Sequence, residues 1–259
     1  MRTACLLLGL AIAALPGVPQ ALSAFKLIRV LELKGATYHV QGIDFENDQL
    51  WVTSVDTPRR KGFLHEFSLT SGQLLRETEI QAAARFHPGG IALDGDALWI
   101  PVAEYRAHSS AVIQRRSKRT LALESQFEVA DHIGCLAASP DFLVGGNWDS
   151  AEFYLWNRRG QLIRKVRSAT SNAYQDMKFA AGEIVASGNL ADGTGAVDWL
   201  ALPSFQLLRR VVAGKTDRGV LYTREGMAIR GNQLLLLPED SPSRLFIFDL
   251  SADQPPHRR

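Results

Sequence analysis

The chain is poor in cysteine, with Cys5 and Cys135 the two it has in 259 residues. An excess of either charge is also lacking, since 29 Lys and Arg stand against 27 Asp and Glu. That balance excludes nucleic-acid binding driven by net positive charge, because phosphate affinity comes mainly from clustered Lys and Arg. Long apolar runs are missing too. The longest, Ala4 to Leu15, falls short of the roughly 20 residues needed to span a bilayer. No Gly-x-Ser-x-Gly elbow, His-Glu-x-x-His, phosphate loop or dinucleotide glycine pattern occurs, so the common nucleophile, zinc-protease and nucleotide signatures are absent. Apolar residues nevertheless make up 46% of the chain, enough for a packed core and too many for a disordered segment.

What is present begins with the N-terminus. Arg2, the apolar run, Pro16, Pro19 and the small residues Ala21-Leu22-Ser23-Ala24 have the order of a secretory signal peptide. Residues 1–24 are read as that signal, cleavage is expected near Ala24, and 25–259 form a single domain. Removal takes away Arg2 and Cys5, leaving one cysteine, no possible internal disulfide and a net charge of +1. A periplasmic or secreted protein without a membrane span is expected.

Helical periodicity is not sustained anywhere in 25–259. Short runs of Val, Ile, Leu, Phe and Trp recur between turns at Asn47, Gly95, Pro140, Gly182 and Gly231, spaced by 48, 45, 42 and 49 residues. A period of this size marks a repeat architecture. Four short antiparallel strands per repeat, arranged radially, make a β-propeller. The last repeat runs out after Arg244 to Asp249 without a fourth strand, and Phe25 to Leu33 is a strand without a repeat. The sequence therefore predicts an all-β, five-bladed propeller with four-stranded blades, the last closed by the N-terminal strand.

The segment His39-Val40-Gln41-Gly42-Ile43-Asp44-Phe45, then Gln49-Leu50-Trp51-Val52-Thr53-Ser54 and Phe67 to Leu75, resembles the first blade of glutamine cyclotransferases. Those are exported five-bladed propellers that cyclise N-terminal glutamine, so the resemblance implies the fold, export and that activity. The family carries a Gly-Glu-Gly-Ile type motif at the start of its second blade, whose Glu handles protons. Here the stretch is Pro88-Gly89-Gly90-Ile91, with Gly89 at the Glu position. Over the remaining blades the similarity is that of propellers in general, and the chain as a whole looks more like an uncharacterised family of secreted propellers on the same scaffold.

Inner strands line a propeller's channel, so their first residues can be compared by position: His39, His87, His132, Tyr174 and Thr223. Two residues on stand Gln41, Gly89, Gly134, Asp176 and Glu225. Three of the six histidines share one ring position. Neutral imidazoles with a carboxylate nearby suit a divalent cation, zinc or calcium, and the same residues also suit plain polar channel lining. The metal candidates are His39, His87 and His132, with Glu225 or Asp176 as candidate base. Ends of the second strands add Asp56, Glu104, Asn147, Asn189 and Glu239, with Trp148 placed to stack on a ligand ring. This acidic and amide bias favours cations, amines or sugar hydroxyls. Three readings follow: a propeller binding a small molecule at the channel mouth, a metal-assisted hydrolase or glutamine cyclotransferase-like enzyme, and a scaffold for an exported protein. A monomer with no nucleic-acid partner is expected.

Overall fold

The computed structural model describes residues 20–21 and 25–251. The proposed signal peptide lies outside the described residues except Gln20–Ala21, which pair in parallel with Val211 and Val212. Short apolar runs set the inner strands, which are buried on both faces, and turn residues reverse the chain between them. The first blade is His39–Glu46, Gln49–Asp56, Lys61–Ser68 and Leu74–Glu79. The third is Ile133–Ala138, Phe142–Asn147, Glu152–Asn157 and Leu162–Arg167, and the fourth Ala173–Ala180, Glu183–Asn189, Gly195–Leu200 and Leu207–Ala213. In the fifth, Glu225–Arg230, Gln233–Pro238 and Arg244–Asp249 are completed by Lys26–Glu32, antiparallel to Arg244–Asp249. The architecture is the five-bladed propeller that the spacing predicts, closed by the N-terminal strand. No described helix is long and apolar enough to cross a membrane.

The second blade departs from the expected pattern. Its inner strand splits into His87–Pro88 and Ala92–Asp94, both paired with Ala97–Ala103, and the blade ends with Ala111–Ser117 and Leu123–Val129. Between the halves Gly90 N–H turns away and donates to Gly134 O of the third blade at 2.9 Å. A Cβ on Gly89 would overlap that same Gly134 carbonyl, and one on Gly90 would overlap Asp176 Oδ1. Glycine is required there because the backbones of two blades touch.

The core lies between blades. One cluster joins Ile43, Leu50 and Phe67 to Leu235 and Leu245, closing the fifth blade on the first. Others join Trp51 to Ile100, Ile113 to Tyr154, Phe153 to Phe205, and Val211 to Phe246. Trp51 and Trp99 are core residues, and Cys135 is fully buried with its thiol pushed up to about 12 by burial. Each fully buried Leu, Ile or Phe contributes about 1.5–3 kcal/mol, and five apolar seams hold the described ring, in which Cys135 is a free thiol.

Candidate functional site

Three inner strands carry the same irregularity. The ladder skips Gln41 between Val40 and Gly42, Gly134 between Ile133 and Cys135, and Gln175 between Tyr174 and Asp176. Bulges of this kind re-aim a side chain beside a site. They also fix the structural equivalence of the blades: Gln41, Gly134 and Gln175 correspond, one residue before Gly42, Cys135 and Asp176. The comparison made from sequence is therefore out by one residue in the fourth blade. Ala173, not Tyr174, is the counterpart of the histidines, and Gln175, not Asp176, that of Gln41. Because alternate strand residues face opposite ways, one residue of slip changes the layer in which a side chain sits.

At the channel mouth a cavity of about 140 Å³ is lined by His39 and Gln41 from the first blade and His87 and Tyr105 from the second. His132, Gly134 and Trp148 come from the third, Tyr174 and Gln175 from the fourth, and Glu225 from the fifth. The ring of histidines, Gln41, Trp148 and Glu225 are thus brought together. Tyr105 and Gln175 were missed. The first lies in a loop that carries no repeat signal, and the second would have emerged from matching Tyr174-Gln175-Asp176 to Val40-Gln41-Gly42.

Two walls differ in chemistry. On one, His87 stacks on Tyr105 with ring centroids 4.2 Å apart, and Trp148 meets His132 edge-on at 4.6 Å. On the other, His39 Nδ1–H donates to Glu239 Oε1 at 2.7 Å, with Glu225 Oε1 4.0 Å from His39 Nε2. Arg224 Nε lies 3.1 Å from the other oxygen of Glu239, so Glu239 has a cation and Glu225 has none so close. Burial, reinforced by Glu239, pushes the Glu225 carboxyl up to about 8. Its backbone φ is 105°, a conformation that costs a non-glycine residue about 1–3 kcal/mol and concentrates at functional sites.

Burial favours the neutral form of His87 and His132. Burial lowers His87 well below the ordinary histidine value, with His132 and His39 adding repulsion, and burial also lowers His132. His132 Nδ1–H donates to Glu104 O at 2.9 Å, which leaves Nε2 as an acceptor. His87 Nδ1 is buried with no hydrogen-bond partner among the described residues. The mouth therefore offers lone pairs and a carboxyl group.

The other predicted residues lie elsewhere. Asp176 does not line the cavity. It is fully buried below the mouth, where it accepts from Ile43, Met227 and Met177 N–H and from Lys178 Nζ at 2.6 Å. Asp56 binds Arg59, and Asn147 accepts from Glu152 N–H at 3.1 Å. The buried Oδ1 of Asn189 is unpartnered among the described residues and lies outside the cavity. Glu104 lines a neighbouring cavity, where it accepts from Ser110 Oγ at 2.9 Å and Arg106 Nε at 3.1 Å. For a metal, the structure groups His39 with Glu225 and Glu239, whose ligand atoms lie within 4.8 Å of one another. His87 and His132 belong to the aromatic wall.

Among solved structures, the chain is similar to glutaminyl cyclase of Myxococcus xanthus, with TM-score 0.66 and 16% identity over 86% of this chain and 95% of that one. It is also similar to the Pan2 WD40 domain of Neurospora crassa, with TM-score 0.50 and 8% identity over 90% of this chain and 98% of that one. At these identities the likeness is one of fold. No curated protein matches the sequence. Residues 53–180, from the second strand of the first blade into the fourth, match the model of a family of unknown function (DUF6454).

Proposed function

We propose that the protein is an exported, periplasmic or secreted propeller that binds a small basic molecule, an amine in its ammonium form, at the channel mouth. The observation that carries this is Glu225, a buried carboxyl that no Lys or Arg pairs with among the described residues, sharing one cavity with an aromatic wall. An ammonium group has three donors and no acceptor. It finds the acceptors His132 Nε2 and Glu225, while aromatic faces attract cations as well. The cavity volume is close to the roughly 150 Å³ that holds one six-carbon ring, so it suits an amine head group with few attached atoms. Calorimetric titration of the mature chain with alkylamines and with neutral alcohols of the same length tests the reading. Amines should bind, alcohols should not, and Glu225→Gln should abolish the difference.

A second reading rests on the His39, Glu225 and Glu239 group, which could hold a divalent cation. Two carboxylates and an imidazole suit zinc, with open positions for water and substrate, and support a metal-assisted hydrolase or cyclotransferase. Against it, His39 and Glu239 already satisfy each other and Arg224 takes the second Glu239 oxygen. Gly89 also leaves no room for the acid that the cyclotransferase resemblance requires. Stoichiometric metal in protein soaked with zinc or calcium, lost in His39→Ala, would favour this second reading.

A further inference from the structure

The neighbouring cavity, about 330 Å³, is walled by Arg60, Phe86, Tyr105 and Arg106. Tyr105 lines both cavities. Its ring meets Phe86 edge-on at 6.3 Å and stacks on His87 at 4.2 Å, so a continuous aromatic strip runs from one cavity into the other. The mouth holds the Glu225 carboxyl, and the neighbouring cavity holds two arginines and Glu104. Arg106 is neutralised by Glu104. Arg60 lies over the Phe86 ring with its guanidinium 4.8 Å from the centroid, and no carboxylate pairs with it among the described residues. A guanidinium over an aromatic face still has N–H donors to offer an oxyanion.

We infer that the two cavities form one binding surface for a small zwitterion, its ammonium group in the mouth beside Glu225 and its carboxylate on Arg60, with the linking chain lying along Tyr105. The inference rests on the amine reading above and adds the anionic end. It restricts the ligand to molecules with amine and carboxylate well separated, an ω-amino acid being the simplest case.

The test is calorimetric titration of the mature chain at pH 8.5 with the ω-amino acids from 3-aminopropanoate to 6-aminohexanoate. Alkylamines of matching length serve as references. At one or more lengths the amino acid should bind roughly two- to fivefold more tightly than its amine, the size expected of an exposed ion pair. Arg60→Ala should remove that gain and leave amine binding unchanged, and Arg60→Lys should restore part of it. Quenching of Trp148 fluorescence, absent in Trp148→Phe, should accompany binding. Equal affinities at every length in the unmodified protein, or a gain that survives Arg60→Ala, would overturn the zwitterion while leaving the amine reading standing. No binding by amines or amino acids would overturn both.

Discussion

The Asp176 carboxylate of the fourth blade accepts the Ile43 backbone N–H of the first blade at 3.0 Å, across the centre of the ring. The same oxygen accepts Met227 N–H of the fifth blade, and Gly90 of the second packs against the other oxygen. One side chain therefore touches four blades, and Lys178 supplies its counter-charge where neither residue is exposed.

Asp176→Ala should cost about 3–5 kcal/mol, because it strands the Lys178 cation and two backbone donors from other blades in a buried place. Asp176→Asn, which keeps an acceptor, should cost less. Chemical denaturation of each variant measures the difference. Equal stability for Asp176→Ala and the unmodified chain would show that the ring does not need this centre.

Glu225 should make the protein less stable in mild alkali. Its folded-state pKa of about 8 stands above the ordinary 4.5, so the folded state holds a proton that the unfolded chain has released. Stability from this group is complete below about 4.5, declines as pH rises, and levels off above about 8. Glu225→Gln should remove most of that slope and be the more stable form at pH 9, as read by thermal midpoints between pH 5 and 9. Amine affinity should run the other way, rising about tenfold per pH unit up to about 8, because binding must displace the proton.

His65 should govern the acid side. It is fully buried in the first blade, with Ser54 Oγ 2.7 Å from Nε2 and Tyr38, Phe63 and Phe67 around the ring. Glu77 Oε2 lies 3.0 Å from Nδ1, yet that nitrogen has no hydrogen-bond partner among the described residues. Burial brings the pKa down to about 4 from 6.5. The stability this neutral imidazole provides is present above 6.5 and is lost as pH falls from there to about 4. His65→Phe should lower stability at pH 7, where it leaves Ser54 unpaired, and flatten the decline between pH 6.5 and 4. An unchanged acid slope would reject the assignment.

Placing the acid of the cyclotransferase motif at Gly89 should not create an activity. Gly89→Glu forces a Cβ into the Gly134 carbonyl, so the two blades must separate to admit it. A fall in thermal midpoint of several degrees is expected for Gly89→Glu and also for Gly89→Ala, since the obstruction is the Cβ itself. An undisturbed Gly89→Glu protein that cyclised an N-terminal glutamine would refute this.

The blade count was legible because each repeat has the same simple requirement, two inner strands buried on both faces between turns that reverse the chain. His39, His87 and His132 could be aligned for the same reason. Register was not legible. A bulge adds one residue without changing composition, so Asp176 was placed in the mouth when Gln175 belongs there. Partners across strands were hidden as well: Ser54 and His65 are eleven residues apart, and only the pairing of Val52 with His65 brings them together. Asp56 and Asn147 were grouped correctly as second-strand ends, yet each closes its own loop. Position in the repeat does not settle whether a carboxylate serves the site or the turn.

The pairing of Lys26–Glu32 with Arg244–Asp249 sets the order of events in folding. A chain emerging N-terminus first presents its opening strand long before the partner exists, and that strand must wait while four blades are made. Its exposed Leu27, Ile28 and Val30 leave a β-prone segment unpaired during this interval, when foreign edges can capture it. The last blade consequently needs Lys26–Glu32 and Arg244–Asp249, strands more than 200 residues apart, to meet. Moving Lys26–Glu32 behind Asp249 by circular permutation would turn that closing step into a local hairpin and shorten the wait to a few residues of synthesis.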